Sequence, residues 1–167
     1  MPGKKVPKTP AELRPCAAPP EKGVCSFKAS ALRTYNSRVR LCVELQRSPY
    51  LLRFGHTINA CTGALTLIPG SPFAAEATPQ SVATDPTGKF AYVANSSSND
   101  VSMYTINGTT GALTSTGTIA AGSSPSSIAI HPSGKFAYVT NSGSNNVSMY
   151  SVDGATGALM LIGTIGT

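Results

Sequence analysis

From Pro125 onward, apolar and polar positions fall into four short runs separated by turn-forming residues. Ser127-Ile128-Ala129-Ile130 leads into His131-Pro132-Ser133-Gly134. In that tetrapeptide Pro presets φ at the second position and Gly closes a tight turn, so the pattern predicts strand, turn, strand. Phe136 to Asn141 alternates Phe and Tyr with Ala and Val, which makes both faces of the second strand apolar. A strand of this kind belongs to a sheet covered on both sides. The polar loop Ser142–Asn146, a third run from Val147 to Val152, a turn over Asp153–Gly157 and a fourth run from Ala158 to Ile165 complete the period. The stretch Ser81–Ile119 reads the same way, with Asp85-Pro86-Thr87-Gly88 as its first turn.

The two stretches are near copies. Gly88-Lys89-Phe90-Ala91-Tyr92-Val93 recurs as Gly134-Lys135-Phe136-Ala137-Tyr138-Val139, and Val101-Ser102-Met103-Tyr104 as Val147-Ser148-Met149-Tyr150, each displaced by 46 residues. Thr62-Gly63-Ala64-Leu65, Thr110-Gly111-Ala112-Leu113 and Thr156-Gly157-Ala158-Leu159 mark another phase, spaced 48 and then 46, which puts two extra residues between Leu65 and Pro79. A period in the forties, built from four antiparallel strands buried by neighbours on both sides, describes a propeller blade better than a two-sheet sandwich with polar outer faces. The expected fold is all-β: a blade tail over 56–72, whose His56-Thr57-Ile58-Asn59 aligns with Tyr104-Thr105-Ile106-Asn107, and full blades over 79–119 and 125–165. Propellers close with four to eight blades. The chain therefore reads as a propeller fragment with open end faces, and self-association through those faces is expected.

Charge divides the chain at the same place as the pattern does. Residues 1–55 hold eleven of the thirteen Lys and Arg against Glu12, Glu21 and Glu44, whereas 56–167 hold only Lys89 and Lys135 against Glu76, Asp85, Asp100 and Asp153. The repeats are thus weakly acidic, and no nucleic-acid partner is expected for them. Residues 1–55 lack the vocabulary of the repeat and read as a basic, poorly ordered segment or a misassigned start, with a basic arm for nucleic acid or an anionic membrane as the functional alternative. Val39 to Leu45 alternates like a strand, while Leu32, Tyr35 and Val39 fit a helix face equally well. Cys16, Cys25 and Cys42 precede residue 55 without a CxxC pair or a His at ligand spacing, so no structural zinc is expected. No apolar run is long enough to span a bilayer, and early lysines followed by prolines do not form an export signal; localisation is left open.

Tyr138-Val139-Thr140-Asn141 is the tetrapeptide for which YVTN propeller repeats are named, and Tyr92-Val93-Ala94-Asn95 is a one-residue variant. Thr62-Gly63-Ala64-Leu65 through Pro69-Gly70-Ser71-Pro72-Phe73 resembles the blade junction of the bacterial seven-bladed lactonase family. The resemblance covers 56–167. It implies a ring with a central channel, kinship with 6-phosphogluconolactonase and carboxymuconate cyclase, a small lactone substrate for the full-length protein, and no required metal or other cofactor. It also implies His, Arg and Glu side chains around the channel as the catalytic groups. Hydrolysis of a lactone needs a base to activate water and a cationic or hydrogen-bonding partner for the oxyanion.

Residues 56–167 contain no Arg, which leaves His131 and Glu76 as the catalytic candidates. Glu76 lies in the connection before a first strand; His131 stands where the other copy has Asp85, a position at which bonding the turn's backbone suffices to explain it. His56 takes the place of Tyr104 and Tyr150. Lys89 and Lys135 recur at one turn position, where they serve the blade or form a weak anion-binding rim. The loops Ser96–Asp100 and Ser142–Asn146 are rich in oxygen but hold too few carboxylates for a dedicated calcium site, and turn formation accounts for them. Asn95, Asn107 and Asn146 each begin a glycosylation sequon. Two functions stay open: a fragment of a lactone-hydrolysing propeller without its own catalytic set, or a non-catalytic propeller that presents loops to a protein or glycan.

Overall fold

A computed structural model describes residues 34–36, 39–44, 51–58 and 64–167. Among these residues the structure is all-β, with strands collected into three antiparallel sheets. The last sheet has the order β10 (Pro125–Ile130), β11 (Phe136–Asn141), β12 (Asn146–Val152), β13 (Leu159–Gly166). The middle sheet repeats it with β6 (Pro79–Thr84), β7 (Phe90–Asn95), β8 (Asp100–Ile106) and β9 (Leu113–Ala120). These are the four strands per period that the pattern predicts, and the register repeats too. Tyr92 faces Met103 across the middle sheet as Tyr138 faces Met149 across the last.

Three strands also lie wholly or partly upstream of His56. They are β1 (Thr34–Asn36), β2 (Val39–Glu44) and β3 (Leu51–Ile58), paired in that order, so the compositional boundary at residue 55 falls inside a strand. The ambiguous run from Val39 is strand, since its backbone ladder runs from Leu41–Thr57 to Glu44–Arg53. Pairing of this kind uses main-chain groups, which is why a sheet forms where the repeat's side chains are missing. The outer edge of this first sheet is split into β4 (Leu65–Leu67) and β5 (Phe73–Ala74), both paired to β3. The two extra residues are located here. Leu65 pairs with Ile58 as Leu113 pairs with Ile106, 48 positions on, whereas the Ala74 carbonyl accepts from Tyr104 as that of Ala120 accepts from Tyr150, 46 positions on. The surplus therefore sits between Leu65 and Ala74, in the loop around Pro69-Gly70.

The sheets approach each other along their first strands, with β10 packed on β6 and β7 and the Ile128 amide donating to Ser81 Oγ at 3.3 Å. Alternation along β7 supplies both neighbours at once. Ala91 and Val93 pack with Ile68, Phe73, Tyr104 and Leu113 toward the first sheet. Phe90, Tyr92 and Ala94 pack with Ile128, Ala137, Val139, Tyr150 and Leu159 toward the last. Burial of each large side chain among them is worth about 1.5–3 kcal/mol, so the two interfaces dominate the stability of the described region.

Tyrosine hydroxyls lock the same joints. Tyr92 donates to the Gly157 carbonyl at 2.9 Å, Tyr104 to Ala74 at 2.6 Å and Tyr150 to Ala120 at 2.8 Å, each across a blade boundary. Gly157 explains the recurrent Thr-Gly-Ala-Leu: its φ is +75°, and a Cβ there would overlap the ring of Phe90 from the preceding sheet. Among the described residues no helix is long and apolar enough to cross a membrane.

Candidate functional site

Each blade has two ends with different chemistry. At one end lie the connections into the first strands, 75–78 and 121–124, together with the hairpin loops 96–99 and 142–145. These segments are stitched into a single ridge. Ser96 and Ser97 amides donate to the carbonyls of Thr78 and Ala77, Ser142 and Gly143 amides to those of Ser124 and Ser123, and the Asn99 side chain accepts from the Ser124 amide at 2.7 Å. Asn99 and Asn145 adopt φ of 59° and 48°, a left-handed conformation that asparagine tolerates better than most residues.

Asn95 and Asn141 anchor this end from within. The Asn95 Nδ2 donates to Asp100 Oδ1 at 2.7 Å and Ser102 Oγ at 2.9 Å; Asn141 makes the same pair of bonds to Asn146 Oδ1 and Ser148 Oγ. The spacing Asn-x4-Asp/Asn-x-Ser, present twice at an offset of 46, is the signal from which this anchor could have been read. It assigns the oxygen-rich loops to hairpin closure. Of the three sequon asparagines, Asn95 is fully buried and Asn146 half-buried in a strand, while Asn107 is exposed on a turn.

Glu76 stands on this end, exposed, in the connection between β5 and β6. Its counterpart 46 positions on is Gly122, where a side chain would run into Asn141 and Ser144, so the carboxylate belongs to one copy only. Beneath it, burial pushes the Tyr104 phenol up to about 12, with the Glu76 and Asp100 carboxylates adding to the effect and a Ser102 hydrogen bond opposing it. Tyr104 is accordingly a neutral donor to Ala74. Tyr92 and Tyr150 are raised as well, in both cases mainly by burial.

At the other end lie the turns 85–89 and 131–135. Asp85 is buried and closes its turn, its Oδ1 accepting from the Lys89 and Phe90 amides at 2.9 and 2.8 Å and its Oδ2 from Thr87. His131 fills the same position but is exposed. Its Nδ1 accepts from the Ser133 amide at 3.2 Å and lies 2.8 Å from Ser133 Oγ, while its ring meets Phe136 edge-on at 6.3 Å. Lys89 and Lys135 are exposed on these turns. His56 lies in β3, half-buried, opposite Leu67 and Cys42.

The structure therefore does not bring the two catalytic candidates together. Glu76 precedes the start of β6 and His131 follows the end of the adjacent, equivalent strand β10. A six-residue strand at about 3.3 Å per residue places them roughly 20 Å apart. General acid–base partners work within hydrogen-bond reach or through one water. Among the described residues no group of three or more His, Cys, Asp or Glu is placed to hold a metal ion.

This repeated architecture has a match among known families. The family model described as lactonase, 7-bladed beta-propeller, aligns over residues 54–128 and 116–167. The chain belongs to this lactonase family. No curated protein matches it in sequence. Among solved structures, a candidate 6-phosphogluconolactonase from Bacteroides fragilis superposes with a TM-score of 0.69 at 22% identity, over 82% of this chain and 38% of its own. A candidate 6-phosphogluconolactonase from Bacteroides uniformis gives 0.68 at 19%, over 83% and 41%. The periplasmic gluconolactonase of Pseudomonas aeruginosa gives 0.65 at 17%, over 92% and 45%. At these identities the likeness is one of fold, and the lactonase-family chain spans about two fifths of the length of such structures.

Proposed function

We propose that this chain supplies the scaffold of a lactonase-family propeller, three blades that shape a binding surface for a small lactone, and that the two complete blades do not themselves carry the catalytic set. The observation that carries this reading is the separation of Glu76 from His131 by the length of a blade. Each also has a local setting that accounts for it: His131 bonds the backbone of its own turn, and Glu76 lies on an exposed connection. The two complete blades, 79–166, contain no Arg, the cation best suited to an oxyanion. Membership of the family supports lactone hydrolysis as the activity of the full ring and a lactone as its substrate; fold alone does not assign them.

The test is a hydrolysis assay of the purified 167-residue chain with gluconolactone and 6-phosphogluconolactone. The expected rate is the spontaneous one, because loss of a single oxyanion donor already costs about two to three orders of magnitude. Turnover well above that rate, abolished in Glu76→Gln or His131→Gln, would contradict the proposal and place chemistry at one blade end.

A further inference from the structure

We infer that Asn107 is a site of self-modification, its side-chain amide converting to a carboxylate through attack by the main-chain nitrogen of Gly108. The two residues open the turn between β8 and β9, and residues 107–110 are all exposed on it. Asn107 Oδ1 accepts from the Thr109 amide at 2.9 Å and from the Thr110 amide at 3.0 Å, whereas its Nδ2 enters no hydrogen bond of the fold. The Gly108 amide is likewise held by no backbone partner, and glycine has no Cβ to crowd its nitrogen.

Nucleophile, electrophile and leaving group thus sit together on one solvated turn. As the Gly108 nitrogen bonds to Asn107 Cγ, negative charge develops on Oδ1, at which two main-chain amides already point. The Cγ–Nδ2 bond then breaks, ammonia leaves with the proton that the Gly108 nitrogen has given up, and a five-membered imide remains. Water opens the imide at Cγ to give aspartate, or at the main-chain carbonyl to give isoaspartate, and returns a proton to the Gly108 nitrogen. The last blade already carries the aspartate form of this turn. Asp153-Gly154 stands 46 positions on from Asn107-Gly108, and Asp153 Oδ1 accepts from the Ala155 and Thr156 amides at 2.7 and 3.2 Å. Those amides hold its carboxyl below the ordinary carboxylate range. A turn that holds a carboxylate in one copy can hold it in the other. The buried asparagines are built differently, since Asn95 and Asn141 each commit Nδ2 to two side-chain oxygens and each precedes a serine.

The test incubates the purified 167-residue chain in ammonia-free buffer at mildly alkaline pH and follows it by peptide mass spectrometry, with fragmentation that separates aspartate from isoaspartate. A free peptide of the sequence 104–113 is the reference. Asn107 is expected to gain the mass of an amide turned acid, at a rate no lower than in the peptide and rising with hydroxide concentration, while Asn95 and Asn141 keep their amides. Gly108 does not use the left-handed backbone region, so Gly108→Ala retains the turn and is expected to slow conversion severalfold. Asn107→Asp is expected to melt at the wild-type temperature. Slower conversion in the folded chain than in the peptide would overturn the inference. So would loss of the Asn95 or Asn141 amide as fast as that of Asn107, a folded Gly108→Ala variant that converts at the wild-type rate, or a clearly lower melting temperature for Asn107→Asp.

Discussion

The strands β7 and β11 carry almost the same hexapeptide, Phe-Ala-Tyr-Val-Ala-Asn and Phe-Ala-Tyr-Val-Thr-Asn, yet only one of them is buried throughout. Every residue of β7 is buried, whereas β11 alternates exposed and buried, with Phe136 and Tyr138 open and Ala137, Val139 and Asn141 covered. Backbone pairing is the same in both, and the flanking connections have the same lengths. The difference lies in what stands beyond each sheet. Local sequence specifies the blade, while a neighbour specifies whether its large aromatic side chains are worth anything to stability. This is the behaviour of a repeat array, in which each unit's stability is divided between itself and its interfaces.

Matched substitutions sharpen the comparison most strongly at the first aromatic position. Phe90→Ala opens a cavity in a closed joint and is expected to lower the unfolding free energy by about 3–5 kcal/mol. Phe136→Ala removes a partly solvated ring and is expected to cost about 1 kcal/mol under conditions where chains are dissociated, because little buried area is lost. Urea denaturation of the two variants at low concentration reads both values. Equal losses would mean that the last sheet is covered by something else.

Alkaline titration gives the next effect. The folded-state phenol of Tyr104 is raised to about 12 from an ordinary 10.0, chiefly by burial, and those of Tyr92 and Tyr150 are raised as well. A raised folded value means that the unfolded chain loses its proton first. The stabilisation is fully present below pH 10 and is lost as pH rises toward 12, at about 1.4 kcal/mol per pH unit for each such tyrosine. The thermal midpoint is therefore expected to fall steeply above pH 10. A flat midpoint through pH 11 would show that these hydroxyls are not confined in the joints.

The smallest effect separates the hydroxyls themselves. Tyr92→Phe leaves the buried Gly157 carbonyl without its donor and is expected to cost about 1–2 kcal/mol. Tyr138→Phe is expected to fall within about 0.5 kcal/mol of the wild type in the dissociated chain, as exposed changes usually do. A thermal shift measured on both proteins at low concentration distinguishes them.

Much of this was legible in the sequence, because the repeat offers two registers of the same pattern. The strands from Pro79 to Ala120 and from Pro125 to Gly166 follow from alternation and from the Gly, Pro and Asn between them. The inner strands of the first sheet did not, since Val39–Glu44 carries none of the repeat's residues and Leu51–Ile58 only the closing Thr57-Ile58. Nor did the inter-blade role of Tyr92, Tyr104 and Tyr150, because a hydroxyl's partner across 30 or 65 residues leaves no local trace. Of the candidate site, the turn role of His131 was legible from its place before Pro132. Its remoteness from Glu76 required the sheet order, which puts first-strand starts at one end of a blade and first-strand ends at the other.

Hydrogen exchange over the matched peptides 90–95 and 136–141, read at several protein concentrations, addresses the dependence on a neighbour most directly. At high dilution, residues 136–141 are expected to exchange at least about tenfold faster than 90–95, the difference made by roughly 1.4 kcal/mol of local stability. Equal protection of both strands at every concentration would contradict the account, since near-identical sequences would then owe nothing to the sheet packed beside them.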